Sequence, residues 1–208
     1  MSSFNVNGFF PGELKPDAVV AGCVEIYENA WPNPKETINM IEKECADPFS
    51  GVYWERASTI GQGTNQDART NLLCNITDHA SVSSNALAQN IHNQFNMLLL
   101  ATTVPYQMRY NLNGPLEHEG YQILRYGSSQ EYKPHYDGGT LQVPRQISCV
   151  CYLNDDYEGG EFEFVHYNVK IKPEPGMLIL FPSSFSHTHH AHPIKDGVKY
   201  NLVTWLRN

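Results

Sequence analysis

In the stretch EYKPHYD, His135 and Asp137 stand two apart, and further along SHTHHAHP crowds His187, His189, His190 and His192 into one short tract. Residues two apart on a strand point to one face, so an imidazole and a carboxylate at this spacing can hold one cation between them. The pair alone is a weak signal, because the same spacing arises by chance on a strand with a charged rim. A third ligand is needed, and the histidine tract is the obvious source.

Two imidazoles and one carboxylate on one side of a metal form the facial triad of non-haem Fe(II) oxygenases, with further positions open for reactants. Zinc is more often given cysteine or a third histidine, and Ca²⁺ more carboxylates, so the ligand types favour Fe(II). Mn²⁺ or Co²⁺ could take the same ligands. Which histidine serves stays open on composition, since a His-rich tract can be a solvated loop with one ligand among bystanders.

The rest of the chain must position these groups. Its 208 residues, 41% hydrophobic and 17% charged, fit a single folded domain over 1–208 with no disordered bias. Fourteen basic against 22 acidic residues leave a net charge of -8, which disfavours an extended contact with nucleic acid or an anionic membrane. Cys23, Cys45, Cys74, Cys149 and Cys151 are odd in number and lack CxxC spacing, which argues against a disulfide framework and for a reduced, cytoplasmic setting. The opening MSSFNVNGFFPGELKPD has no basic segment ahead of an apolar core, and no run approaches the ~18 apolar residues of a membrane span.

Periodicity divides the chain into a mixed helical lobe (1–104) and a strand-rich part (105–208). The first holds a strand at 23–27, helices at 34–45 and 83–103, and a polar stretch near 57–72 that reads as a mobile loop able to close over a substrate. The second is a series of short runs, GYQILRY, EYKPHYD, RQISCVCYLN, GEFEFVHY, VKIK, MLILF and KYNLVTWL, broken by turn residues. Such spacing predicts a jelly roll or sandwich, here α+β and mainly β, with the N-terminal helices packed on one sheet. Cys149 and Cys151 alternate onto one face as buried small hydrophobes, and Trp205 reads as core.

Three blocks resemble the prolyl 4-hydroxylase branch of the Fe(II)- and 2-oxoglutarate-dependent dioxygenases, bacterial and phage-type members above all. They are ILRYGSSQEYKPHYDGG, CYLNDDYEGGEFEF and LFPSSFSHTHHAHPIKDGVKYNLVTW; ARTNLL at 68–73 is a weaker match to an Arg-Thr-Ser segment, with Asn71 where serine is usual. In that family the distal histidine precedes a proline by four and a basic residue by ten, and both Pro193 and Lys199 then select His189. A tight hairpin at Asp196-Gly197 would put positions 189 and 199 on opposite faces. The resemblance resolves this, since the family fold is a double-stranded β-helix (jelly roll, cupin-like) whose two sheets face each other.

The resemblance implies His135, Asp137 and His189 as Fe(II) ligands, and Lys199 as partner of the far carboxylate of 2-oxoglutarate. Tyr126 and Tyr152 would hydrogen-bond the same carboxylate, ascorbate would keep the iron reduced, and His187, His190 and His192 would be rim or supporting residues. Many relatives carry serine two after the basic residue; here it is Asn201, whose amide can also donate. The implied reaction is hydroxylation of a C–H bond, of a prolyl residue in a peptide or protein first, with release of succinate and CO₂. Another protein side chain, a free amino acid or a small metabolite are alternatives for the same chemistry. A non-enzymatic β-helix binding protein is the alternative from another class, and Lys199 argues against a cupin-like metal enzyme working without 2-oxoglutarate.

Overall fold

The computed structural model describes residues 14–57, 68–81, 85–140 and 143–208, so most of the loop expected over 57–72 lies outside the described residues. The chain opens with strands β1 (Ala18–Val20) and β2 (Val24–Tyr27) and helix α1 (Pro34–Ala46). β3 (Glu55–Arg56) and β4 (Leu72–Asn75) lead to α2 (Ile76–Ser81) and the long α3 (Ala86–Arg109). Then come β5 (Glu117–His118), β6 (Gln122–Tyr126), β7 (Tyr132–His135), β8 (Gly139–Thr140) and β9 (Val143–Tyr152). β10 (Tyr157–Gly159), β11 (Phe162–Phe164), β12 (Val169–Ile171) and β13 (Leu178–Pro182) follow. The chain closes with β14 (His189–Ala191), β15 (Ile194–Gly197) and β16 (Lys199–Arg207).

Both main helices begin as their sequences dictate. Pro34 takes the first position of α1, where its missing N–H is no loss, and Glu36 sits in the positive first turn. Asn85 caps α3 by accepting from the Ala88 N–H at 3.0 Å. α3 then runs past its expected end at 103, through Pro105, to Arg109. A proline inside a helix strands the carbonyl one turn earlier, at a cost of about 3 kcal/mol. Here that carbonyl, on Ala101, accepts the Leu14 N–H at 3.1 Å. A tertiary contact thus replaces the lost intrahelical bond.

Strand alternation builds two layers. The larger sheet runs β1-β2-β13-β9-β16-β6-β4-β3, and a smaller one runs β12-β11-β14-β7. One face of the larger sheet turns Cys149, Cys151, Leu178, Leu180 and Leu202 toward Phe95 and Leu98 of α3. The opposite face turns Val24, Tyr152, Ile179 and Phe181 inward to pack with Phe162 and Phe164 of the smaller sheet. This is the expected double-stranded β-helix, with helices on the outside of one sheet. Among the described residues, no helix is long and apolar enough to cross a membrane.

The end of α3 is fastened to the sheet by charge. Arg109 donates through Nε and Nη2 to the two oxygens of Glu25, each at 2.8 Å, and Tyr27 donates to the same carboxylate at 2.5 Å. Glu25 is fully buried. Removing one partner of a buried pair leaves an uncompensated charge, so Arg109→Ala is expected to cost about 3 kcal/mol in urea unfolding. Adding Glu25→Gln to that variant should recover part of the loss, because the stranded charge is then gone.

Candidate metal centre

β7 ends at His135, and the chain then turns so that Asp137 is buried just beyond the strand, while β14 brings His189 alongside. His189 pairs directly with His135 across the two strands. His135 Nε2 lies 3.6 Å from Asp137 Oδ1 and His189 Nε2 lies 3.5 Å from Asp137 Oδ2. One ligand atom from each of the three residues falls within 4.8 Å of the others. The structure therefore brings together the three residues that the sequence pointed to.

The outer ring nitrogens show what the inner ones can do. His135 Nδ1 lies 2.7 Å from the Lys133 carbonyl, and His189 Nδ1 lies 3.0 Å from the His187 carbonyl. A carbonyl only accepts, so each Nδ1 carries a proton, and it is Nε2, facing Asp137, that holds the lone pair whenever the ring is neutral. Burial pushes His189 down to about 4, which keeps it neutral at physiological pH. Burial alone would raise Asp137, but the flanking imidazoles and the Ser148 hydroxyl, which donates to Oδ2 at 2.7 Å, hold it well below the usual carboxylate range. Two lone pairs and an anion converging in a buried space repel one another unless a cation sits among them. The donor set fits a divalent metal.

Aromatic rings hold the imidazoles in place. Tyr132 stacks on His135 with centroids 3.4 Å apart, and Phe162 and Phe181 flank His189 at 5.1 and 4.9 Å. The adjoining cavity is lined by Arg69, Tyr126, Tyr132, Asn201 and Trp205 besides His135, Asp137 and His189. Its free volume is about 40 Å³, roughly the share of one or two waters.

Lys199 sits on β16 directly opposite Tyr126 of β6, and β14 and β16 lie in different sheets. β15 pairs with β10, so no tight hairpin joins β14 to β16. Lys199 is fully buried, its Nζ donating to the Gly160 carbonyl at 2.9 Å and lying 4.9 Å from the Tyr126 ring centre. Among the described residues it forms no ion pair. Burial pushes it down to about 7. Nearby, Tyr152 Oη and Asn201 Oδ1 are buried without a hydrogen-bond partner among the described residues. A buried lysine beside the idle Tyr152 hydroxyl offers two donors that an anionic ligand would satisfy, whereas Asn201 Oδ1 is an acceptor and calls for a donor. Tyr126 lines the cavity, whereas Lys199 and Tyr152 are not among its lining residues.

Three positions depart from the sequence reading. His187, which strand alternation would put on the face of His189, lies in a 3-10 turn before β14, its Nε2 3.3 Å from the Ala21 carbonyl and 3.6 Å from Cys23 Sγ. Trp205 is not simple core: it lines the cavity under the Arg145 guanidinium, 3.9 Å away. Arg69 was absent from the expected site, yet it is buried in the cavity, donates to Asn71 Oδ1 at 2.8 Å and lies 4.9 Å from the Tyr132 ring. The weak ARTNLL match was its only signal.

Residues 121–207 match the model of the 2OG-Fe(II) oxygenase superfamily. This matched segment holds His135, Asp137, His189 and Lys199, and the superfamily it resembles uses Fe(II) and 2-oxoglutarate. Human procollagen-lysine,2-oxoglutarate 5-dioxygenase 2 is 26% identical over 87 residues, 40% of this chain and 11% of that protein. Probable prolyl 4-hydroxylase 9 of Arabidopsis thaliana is 31% identical over 118 residues, 43% of this chain and 41% of that protein. The chain thus spans less than half the length of these curated relatives. Among solved structures, a Trichoplax adhaerens prolyl hydroxylase with a hypoxia inducible factor peptide fragment superposes with TM-score 0.69, 17% identity and coverage of 90% of this chain and 84% of that one. A Pseudomonas putida prolyl-4-hydroxylase gives 0.62 at 19% identity, covering 89% and 92%. The fold is that of the prolyl hydroxylases, and the resemblance to prolyl 4-hydroxylase-like oxygenases is borne out.

Lys199 supplies a pH signature. Its ordinary value is 10.5 and the folded value about 7, so between these the unfolded chain binds more protons and stability rises with pH. Urea midpoints of the ligand-free protein should climb from about pH 7 to about pH 9, and Lys199→Met should flatten this residue's share of the slope. An unchanged slope in that variant would show that Lys199 is not held in its uncharged form.

Proposed function

We propose that this protein is an Fe(II)- and 2-oxoglutarate-dependent dioxygenase that hydroxylates a C–H bond of a peptide or protein side chain, a prolyl residue first, releasing succinate and CO₂. The observation that carries the reading is the pair of bare Nε2 lone pairs aimed with Asp137 at one point, beside a buried, anion-seeking lysine. In this reading His135, Asp137 and His189 hold the metal, Lys199 with Tyr126 and Tyr152 holds the far carboxylate of 2-oxoglutarate, and ascorbate keeps the iron reduced. Iron and 2-oxoglutarate together supply the oxidising chemistry that inserts one oxygen atom of O₂ into the substrate.

The chain's own groups do the positioning. The backbone carbonyls of Lys133 and His187 fix both imidazole tautomers, and Ser148 fixes the carboxylate while itself bonded to Ser183 at 2.8 Å. Arg69 over Tyr132 and Tyr132 on His135 form a stack that holds the ring plane. Phe162 and Phe181 keep water from His189. The prolyl assignment is supported by the prolyl hydroxylase relatives, and the procollagen-lysine relatives support a lysyl side chain as the second reading.

Anaerobic loading with Fe(II) should give slow conversion of 2-oxoglutarate to succinate on admission of O₂, accelerated by the right peptide from a panel of prolyl and lysyl sequences. No succinate above a metal-free control, with metal binding demonstrated, would defeat the reading. His189→Ala should lose stoichiometric iron and turnover together, whereas His187→Ala keeps both. Lys199→Ala should weaken 2-oxoglutarate about 10- to 100-fold with metal affinity near wild type, since only the remote carboxylate loses its charged partner. Equal loss of both would make Lys199 structural.

A further inference from the structure

β14 has a second face. His189 points inward, so its neighbour His190 points outward, directly opposite Glu163 of β11. The ladder continues one residue past the strand, with the His192 N–H bonded to the Glu161 carbonyl at 3.0 Å, so alternation keeps the His192 ring on the same outer surface. His192 Nε2 lies 2.6 Å from Glu163 Oε2, and the His190 and His192 rings lie 4.0 Å apart. His190 Nε2 is 3.0 Å from Glu131 Oε2, just ahead of β7. One ligand atom each from Glu163, His190 and His192 falls within 4.8 Å of the others, and all three side chains are half-buried.

We propose that Glu163, His190 and His192 form a second metal site, separate from the inner one, that takes Zn²⁺. The donor types are those of the inner site, and two histidines with a glutamate and a water are also a set that zinc takes at four-coordinate centres, whereas Ca²⁺ and Mg²⁺ call for oxygen donors throughout. Each Nε2 already faces a carboxylate, so its proton is the one the metal replaces. A water would complete the four-coordinate shell, with Glu131 bordering it at His190. The nearest competing cation, Lys170 Nζ at 3.6 Å from Glu163 Oε2, is on an exposed side chain and can swing clear. Isolated surface pairs between histidine and glutamate add little stability. Three zinc-type donors converging from two adjacent strands can do more: the ion ties β11 to β14 and, through Glu131, to the chain entering β7. It staples the sheet that carries His189 and His135 without entering the inner site.

The test is zinc stoichiometry by equilibrium dialysis on tag-free, full-length protein. Wild type should bind one equivalent more than the His190→Ala/His192→Ala variant, a difference that does not depend on what the inner site holds. In a chain with the inner site removed by Asp137→Ala/His189→Ala, one equivalent should remain, and Glu163→Gln should weaken it roughly tenfold or more. Zn²⁺ should also raise the Tm of that chain, and His190→Ala/His192→Ala should cancel the rise. In the wild-type background the same pair of substitutions should leave Fe(II)-dependent succinate formation intact. Equal zinc content with and without His190 and His192, in proteins with matching circular dichroism, overturns the proposal and leaves a hydrogen-bonded ladder only. Failure of the oxygenase reading would appear differently, as absence of succinate from iron-loaded wild type.

Discussion

The centre of the molecule depends on the register in which β14 lies between β11 and β7. In that register Phe164 faces His189 on one side and His135 faces it on the other. A slip by one residue would turn His189 outward and carry His190 into the core, since side chains alternate without exception along a strand. What prevents the slip is apolar burial: Phe162, Phe164 and Ala191 pack inward with Phe181 and Tyr152, while Glu163 and His190 stay at the surface. The hydrophobic pattern of three short strands thus sets the geometry of a polar site.

Inside that frame, electrostatics leaves two opposite deficits. At one end a carboxylate and two imidazole Nε2 atoms converge with no lysine or arginine beside them; at the other a buried lysine has no anion within ion-pair reach among the described residues. Each alone would be a destabilising feature, because a buried charge without a partner is disfavoured by several kcal/mol. Together they describe a ligand that is positive at one end of the cavity and negative at the other, which a metal chelated by a dicarboxylate is. The chain as a whole carries -8, so the cations Lys199 and Arg69 mark a local field opposed to the global one, and it is the local field that selects the ligand.

Much of this could be read from sequence because it rests on short-range regularities. The strand series and the start of α1 are local patterns, whereas the spacing from His189 to Pro193 and Lys199 carries meaning only through the family resemblance. What was hidden depends on contacts distant in sequence. α3 continues past Pro105 because Leu14 supplies the missing donor, and nothing near Pro105 announces it. Arg69 enters the cavity because its segment bridges to Tyr132 across the fold. Trp205 becomes cavity wall rather than core because Arg145 covers its outer ring face. In each case a residue of ordinary type acquires its role from a partner that periodicity cannot name.

The histidine tract shows both limits within one stretch. Alternation sorts His189 from His190, and it would also place His187 beside His189 if the strand extended that far. It does not, because Phe185–His187 form a 3-10 turn that breaks the period of two before β14 begins. His187 is thereby directed to Ala21 and Cys23, and its carbonyl, not its ring, serves the centre by fixing the tautomer of His189. Past the strand the period of two continues for one more residue, because the His192 N–H is held by the Glu161 carbonyl, and the His192 ring stays on the surface of His190. One histidine facing the centre, one supporting it through its backbone and two paired with carboxylates outside follow from where a three-residue strand starts and stops. The density of imidazoles reflects several separate partners, each set by backbone geometry, and not a single His-rich ligand.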